Sequence, residues 1–294
     1  MRVLVTGGNG LLGRELCRAL SEEHQVFGLI HSPIELPVSN VHYLQIDLSK
    51  KIDYSLLPEQ IDVVFHLAQS SKFRDFPNGA RDTFLVNTSS TLDLLEYCRV
   101  AKVQKFFLAS TGGVYGDHIG PITEAGMLVP PSDIGFYFAS KLSAELLSST
   151  YREELSVTIL RLFFMYGPRQ KPDMFLPRLI NCILKGEEIT INRSGGIRVN
   201  PVFVNDVAHI LASLIDRDLP SVINIGGPDV VSIQEIANHV GQIVSKVPIF
   251  VERNNSTSDV VADITTMKGL TSGIELTPIT TGIEFLIKSM IRKE

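Results

Sequence analysis

Tyr137 and Lys141 have the types and the spacing for proton chemistry. They stand four positions apart in Phe136-Tyr137-Phe138-Ala139-Ser140-Lys141, at the opening of a helical pattern continued by Leu142, Ala144, Leu146 and Leu147. At that spacing they share a helix face, one turn apart. A tyrosine with an ordinary pKa near about 10 is a poor base at neutral pH, and a neighbouring ammonium favours its phenolate. Taken alone, such a pair is most often two surface neighbours. A second stretch has the make-up for binding. Val3-Leu4-Val5 is a short apolar run, residues 11–20 fall into helical spacing, and between them lies Thr6-Gly7-Gly8-Asn9-Gly10-Leu11-Leu12-Gly13. A strand, a glycine turn and a helix start can present free backbone N–H groups to a diphosphate. Gly7 would allow the tight turn, Gly10 the approach of the backbone to the pyrophosphate, and Gly13 the close packing of helix on strand. The glycines are one residue wider at the start than G-x-G-x-x-G, and a Walker loop is excluded because no Gly-Lys-Ser/Thr follows.

The elements that must position these residues alternate between strand and helix. After the first helix, residues 25–30, 42–46, 62–68, 105–109 and 157–164 read as strands, and residues 80–101 and 136–151 as helices, with Asn87 set inside the first of these. That alternation predicts an α/β fold, a doubly wound parallel sheet of Rossmann type, with a smaller C-terminal substrate-binding region. Ligands on such sheets bind beyond the carboxyl ends of the strands, so the glycine turn, Asp47, Ala68-Gln69 and Ser110-Thr111 should line one crevice. The end of the second strand is where an acidic residue usually accepts hydrogen bonds from the adenosine ribose of NAD; here Ile30 is followed by His31 and Ser32, which could instead meet a 2′-phosphate. NAD and NADP both stay open at this point. Residues 1–168 are read as the dinucleotide-binding domain and 169–294 as mainly the substrate-binding region, with some crossing of the chain between them. In the second part, Asn205 or Asp206 is expected to cap a helix, and Ser232-x-x-Glu235 to form a capping box.

Composition narrows the classes. A chain of 294 residues with 44% hydrophobic content buries a substantial core, and a net charge of −5 without a basic run argues against a nucleic-acid partner. No apolar run approaches the length of a membrane span, so a cytoplasmic protein is expected. The three cysteines, Cys17, Cys98 and Cys182, each fall in an apolar helical pattern and read as buried small hydrophobes, and the seven histidines are scattered singly, so no metal site is expected.

Five segments in order make the chain resemble the extended short-chain dehydrogenase/reductases, in the branch of NAD-dependent epimerase/dehydratase proteins acting on nucleotide sugars. They are Thr6-Gly7-x-x-Gly10-x-x-Gly13, Ser110-Thr111-x-x-Val114-Tyr115-Gly116, Tyr137-x-x-x-Lys141, Leu160-Arg161 with Tyr166-Gly167-Pro168, and Val204-x-Asp206-Val207. The resemblance implies that Tyr137 is the general acid/base, that Lys141 favours its phenolate and holds the nicotinamide ribose, and that Thr111 hydrogen-bonds the reacting oxygen. It implies a cofactor set of Gly7, Gly10, Leu11, Leu12, Gly13, His31, Ser32, Asp47, Leu48, Leu67, Ala68, Gln69, Asn87, Tyr137, Lys141 and Phe164, with Thr111 and Arg198 on the substrate. It also implies a homodimer paired through the helices at 80–101 and 136–151.

Departures from the family pattern sharpen the reaction. Sugar 4,6-dehydratases carry an acidic pair right after this threonine, because removing water needs a second acid/base couple; here Gly112 and Gly113 stand there. Many epimerases have an asparagine touching the substrate diphosphate where this chain has Phe164. They also often carry Arg-x-Gly-Asp where Asn255-Ser256-Thr257-Ser258-Asp259 leads to Ala262-Asp263. Arg198 is the remaining candidate diphosphate clamp. The leading expectation is an NAD(P)-dependent nucleotide-sugar 4-epimerase with tightly held NAD that acts through a transient keto-sugar. One alternative is an NADP-dependent ketoreductase of a keto-sugar or another carbonyl compound, and another is a non-catalytic dinucleotide sensor.

Overall fold

The computed structural model describes residues 1–34, 36–192, 195–253 and 258–291. In chain order the first part runs β1 (Arg2–Thr6), α1 (Leu11–Leu20), β2 (Gln25–Ile30), β3 (Val41–Gln45), β4 (Val63–His66), α2 (Ala80–Phe84), α3 (Ser90–Ala101), β5 (Lys105–Thr111), α4 (Phe136–Ser149) and β6 (Ser156–Leu162). Then follow α5 (Phe175–Lys185), β7 (Glu188–Asn192), β8 (Arg198–Val199), α6 (Val204–Ser213), β9 (Val222–Ile225), β10 (Val231–Ser232), α7 (Ile233–Val244), β11 (Ile249–Arg253), α8 (Thr265–Leu270) and α9 (Ile279–Ile291). Seven strands form one sheet in the order β3-β2-β1-β4-β5-β6-β9, and β1, β2, β3, β4 and β5 pair in parallel. This is the doubly wound order, in which the chain turns back on either side of β1.

Register explains why the candidate residues come out level. Thr6 pairs with Leu29 on one side and His66 on the other, and His66 pairs with Leu108. Gly7, Ile30, Leu67 and Ala109, each the next residue along its strand, therefore stand level near the carboxyl edge of the sheet. The strands that carry them are buried on both faces, with Val3, Leu4, Val5, Val64, Phe65 and Phe106 at most 1% exposed. That burial is why they read as continuous apolar runs rather than as alternation.

The chain divides into two compact units. The first comprises residues 1–114, 128–161 and 207–223; the second comprises 115–127, 162–206 and 224–294. The core of the first joins Leu4, Leu29, Val64, Leu94, Leu95 and Phe106 with Ala144 of α4. The second has its own core, in which Leu176, Ile180 and Ile183 of α5 meet Ile236 and Val240 of α7 and Ile283 and Leu286 of α9.

Three local features differ from the sequence reading. The helix expected over 80–101 is interrupted by a π-helical segment, Leu85–Ser89, between α2 and α3. The hydroxyls of Ser90 and Thr91 donate back to the carbonyls of Val86 (2.7 Å) and Asn87 (2.8 Å), and such back-bonding loosens a helical ladder. Neither Asn205 nor Asp206 caps α6, which already begins at Val204. Asp206 instead accepts from the amide (2.7 Å) and hydroxyl (2.8 Å) of Thr277. Cys17 and Cys98 are buried as expected, whereas Cys182 is half-buried. The capping box at Ser232 and Glu235 is formed in both directions, opening α7. Residues 255–257 of the segment contrasted with Arg-x-Gly-Asp lie outside the described residues.

Candidate active site

The glycine turn closes on itself. The amide of Gly10 donates to the carbonyl of Gly7 at 2.8 Å, and the amide of Gly8 to Leu29 at 2.9 Å. Gly7 has φ +68°, a left-handed conformation that side chains rarely adopt. A Cβ on Gly13 would stand 2.1 Å from the carbonyl oxygen of Gly7, so only glycine lets α1 start this close to the turn. Gly10 forms the N-cap of α1 with no side-chain cap bond, and the first turn carries no acidic residue. The helix thus begins with open N–H groups and an uncompensated positive end, which suits the pyrophosphate of a dinucleotide. Leu11 and Leu12 open the helix, Leu12 turned into the core.

Beyond β2, Ile30 is buried, while His31 and Ser32 are exposed. The Asn9 amide donates to the Ser32 carbonyl (3.1 Å), and His31 stands 3.7 Å from the Asp47 carboxylate. Asp47 accepts from the amide (3.0 Å) and hydroxyl (2.7 Å) of Ser49, which hold its carboxyl below the usual range. Leu48 is buried beside it, and Leu67 and Ala68 are half-buried, their amides both donating to Thr6 Oγ1 at 3.1 Å.

The Tyr137 hydroxyl donates to Gln69 Oε1 at 2.8 Å, and its ring packs against Phe73 at 4.8 Å between centroids. Burial pushes the phenol up from its ordinary value, and the Arg74 guanidinium and the Thr111 hydroxyl draw it back down. Thr111 Oγ1 also accepts the Gly113 amide at 3.1 Å. Lys141, 4% exposed, donates to the Ala109 carbonyl at 3.0 Å. Burial lowers it from 10.5 to about 8, and the Glu145 carboxylate acts against that loss of charge. Tyr137 and Lys141 thus share α4 as expected, but their polar atoms are engaged by Gln69 and by Ala109.

Two buried networks hold this arrangement. In the first, Thr6 Oγ1 meets His66 Nδ1 at 2.8 Å and His66 Nε2 meets Thr91 Oγ1 at 3.0 Å. Thr6 Oγ1 already accepts two amides and Thr91 donates to Asn87, so the hydrogen bonds assign the His66 proton to Nε2. Burial and the nearby Lys141 charge lower His66 to about 3, which keeps it neutral. Asn87 is 2% exposed; its Oδ1 accepts the Ser70 amide and its Nδ2 donates to Ser140 Oγ, each at 3.0 Å. In the second, Arg161 Nε and Nη2 bind Glu145 Oε1 and Oε2 at 3.1 and 2.6 Å, and Ser110 Oγ donates to the same carboxylate.

Phe164 and Arg198 belong to the second unit. Phe164 has φ +44° and sets its ring against Phe175 at 5.7 Å. Arg198 is exposed; its Nη2 donates to the Val230 carbonyl at 3.0 Å and its amide to Asp259 at 2.8 Å. This unit contains a cavity of ≈ 900 Å³ walled by Phe175, Leu179, Ile189, Ile191 and Ile197, with Arg178 among its polar groups.

Sequence reasoning missed Phe73, Arg74, His66 and Glu145. Glu145 had a signal, since it follows Lys141 by four and so shares its face. Phe73 and Arg74 had none, because the loop that carries them has no periodicity. Among the described residues no cluster of ligating side chains could hold a metal, and no helix is long and apolar enough to cross a membrane.

The model of the NAD dependent epimerase/dehydratase family matches residues 3–226. An uncharacterized UDP-glucose epimerase of Bacillus subtilis is 30% identical over 262 residues, 83% of this chain and 82% of the relative. A human dTDP-D-glucose 4,6-dehydratase is 27% identical over 263 residues, 83% of this chain and 74% of the relative. The crystal structure of a UDP-glucuronic acid 4-epimerase from Bacillus cereus, in complex with UDP-glucuronic acid and NAD, superposes with a TM-score of 0.86 at 28% identity, covering 100% of both chains. The chain belongs to the NAD dependent epimerase/dehydratase family.

Proposed function

We propose that this chain is an NAD-dependent nucleotide-sugar 4-epimerase that works by transient oxidation of its substrate to a keto-sugar. The observation that carries this reading is the grouping of Thr111, Tyr137 and Lys141 at the carboxyl edge of the sheet that also carries the uncapped glycine turn. Gly112 and Gly113 stand where a dehydratase needs its acidic pair. The solved UDP-glucuronic acid 4-epimerase binds NAD, and the uncapped start of α1 behind the glycine turn, with no acidic residue in its first turn, fits the pyrophosphate of the same cofactor here.

When bound, NAD supplies the acceptor and donor of the hydride at the sugar carbon. The chain's own residues do the rest. The open N–H groups of α1 hold the pyrophosphate, while Asp47, Leu48, His31 and Ser32 border the adenosine end and Leu67, Ala68 and Gln69 the middle of the cofactor. Thr111 donates to the reacting oxygen, and Tyr137 takes the hydroxyl proton and later returns it. For this its phenol must leave Gln69 for the substrate, and the fixed charges of Lys141 and Arg74 favour its ionised form. The keto-sugar turns over between the two half-reactions, so that the hydrogen returns to its other face. Phe164 borders the cofactor, and Arg198 is the candidate clamp on the substrate diphosphate.

The exposed Phe84 and Leu92 of α2 and α3 and Leu146 of α4 support a homodimer formed through these helices. Its free, widely separated cysteines suit the cytoplasm. Tyr137→Phe tests the catalytic reading. Turnover should fall by about 10²–10⁴-fold with nucleotide still bound, in line with the usual worth of a general acid/base. Unchanged turnover would overturn it.

A further inference from the structure

Lys141 is held by an arrangement that proton transfer by Tyr137 does not by itself require. Its ammonium is buried, with one hydrogen bond to a neutral carbonyl, Ala109, at 3.0 Å. On the next residue of β5, the Ser110 hydroxyl reaches Glu145, one turn further along α4. From β6, Arg161 grips both oxygens of that carboxylate, and both partners are buried, at 7% and 4% side-chain exposure. From β4, His66 faces Lys141 but is kept neutral between two threonine hydroxyls. The charged groups around the ammonium are therefore Glu145 on its own helix and Arg161 behind Glu145, with Tyr137 as the ionisable group one turn earlier.

Arg161 grips the Glu145 carboxylate directly, and Lys141, buried one turn earlier on α4, feels the charge of that carboxylate inside the sheet–helix layer. An isolated ammonium in such a place tends to lose its proton. Glu145 opposes that loss, while Arg161 fixes the position of the carboxylate and takes part of its charge. We propose that Glu145, clamped by Arg161 and Ser110, is a positioning residue that keeps Lys141 charged in its buried seat. This rests on the reading of Lys141 as the partner of the Tyr137 phenolate. The buried triad carries a net positive charge when Lys141 is protonated, and the phenolate is the anion that balances it.

The test is the protonation of Lys141 itself, read by the 13Cε chemical shift of labelled lysine in the NAD-loaded enzyme and assigned with Lys141→Arg. The wild-type signal should titrate below the ordinary lysine value of about 10.4. In Glu145→Gln the midpoint should fall by about one pH unit or more, a tenfold or greater loss of charge affinity. The alkaline limb of the kcat profile should move down by the same amount. Because a lone buried Arg161 could prevent folding, Glu145→Gln is also made with Arg161→Met, which removes the pair as a neutral unit. The midpoint should fall there too. A midpoint unmoved in whichever of these variants folds overturns the proposal and leaves the role of Tyr137 untouched. Full turnover by Tyr137→Phe would overturn that role and leave the titration as it is.

Discussion

Replacing Lys141 by methionine should stabilise the protein while abolishing its turnover. The side chain is 4% exposed, and burial lowers it from 10.5 to about 8. At about 1.4 kcal/mol per factor of ten, keeping that ammonium charged at pH 7 costs about 3 kcal/mol of folding stability. Methionine removes this cost and fills a similar volume. It also gives up the hydrogen bond to Ala109, worth about 1 kcal/mol, which leaves a net gain of about 2 kcal/mol. The pH dependence carries a second signature. Between pH 8 and 10.5 the unfolded chain binds the Lys141 proton and the folded chain does not, so wild-type stability rises with pH across that window. The variant lacks this rise, and its advantage should shrink towards pH 10.5. Urea unfolding of the cofactor-free protein, followed by circular dichroism because the chain has no tryptophan, measures both effects. With a slope of about 3 kcal/mol per molar urea the midpoint at pH 7 should rise by roughly 0.7 M. A lower midpoint for the variant, or an identical pH slope in both proteins, would refute the claim that Lys141 is held charged at a cost.

The other predictions rest on the same unit. His66 is lowered to about 3, below its unfolded value near 6.5, so its contribution is lost as pH falls through that range, by up to about 5 kcal/mol at the acid end. His66→Gln should flatten the stability profile between pH 6.5 and 4 in urea titrations, and an unchanged slope would show that another group governs it. Gly13→Ala drives a methyl into the Gly7 carbonyl at 2.1 Å and should weaken NAD binding at least about 100-fold by calorimetry, at a stability cost of about 1–3 kcal/mol. Wild-type affinity in that variant would mean the turn is not the pyrophosphate seat.

The layout of the first unit was legible because its signals are local. Runs such as Val3-Leu4-Val5 announce buried parallel strands, and strands of that kind align their ends, which places the glycine turn, Asp47, Ala68-Gln69 and Ser110-Thr111 on one edge. The spacing of Tyr137 and Lys141 likewise put them on one face of α4. What the spacing could not supply was the direction of each polar tip. Tyr137 turns to Gln69 and Lys141 to Ala109 because residues distant in sequence offer the nearest acceptors. The π segment, beside which Ser90 and Thr91 donate to the backbone, depends on packing that the apolar residues of 80–101 alone do not specify. Asp206 reads as a helix cap from local sequence for a similar reason, since its actual partner, Thr277, lies 71 residues further along the chain.

The most direct measurement follows a UDP-sugar carrying deuterium on C4, incubated with the purified protein and no added cofactor. The account predicts that the C4 epimer forms with deuterium retained at C4 on the opposite face, that no solvent hydrogen enters that position, and that Tyr137→Phe stops the exchange of configuration. Failure to form any epimer from UDP-glucose or UDP-glucuronic acid, or replacement of the label by solvent hydrogen, would contradict oxidation and return at a single carbon.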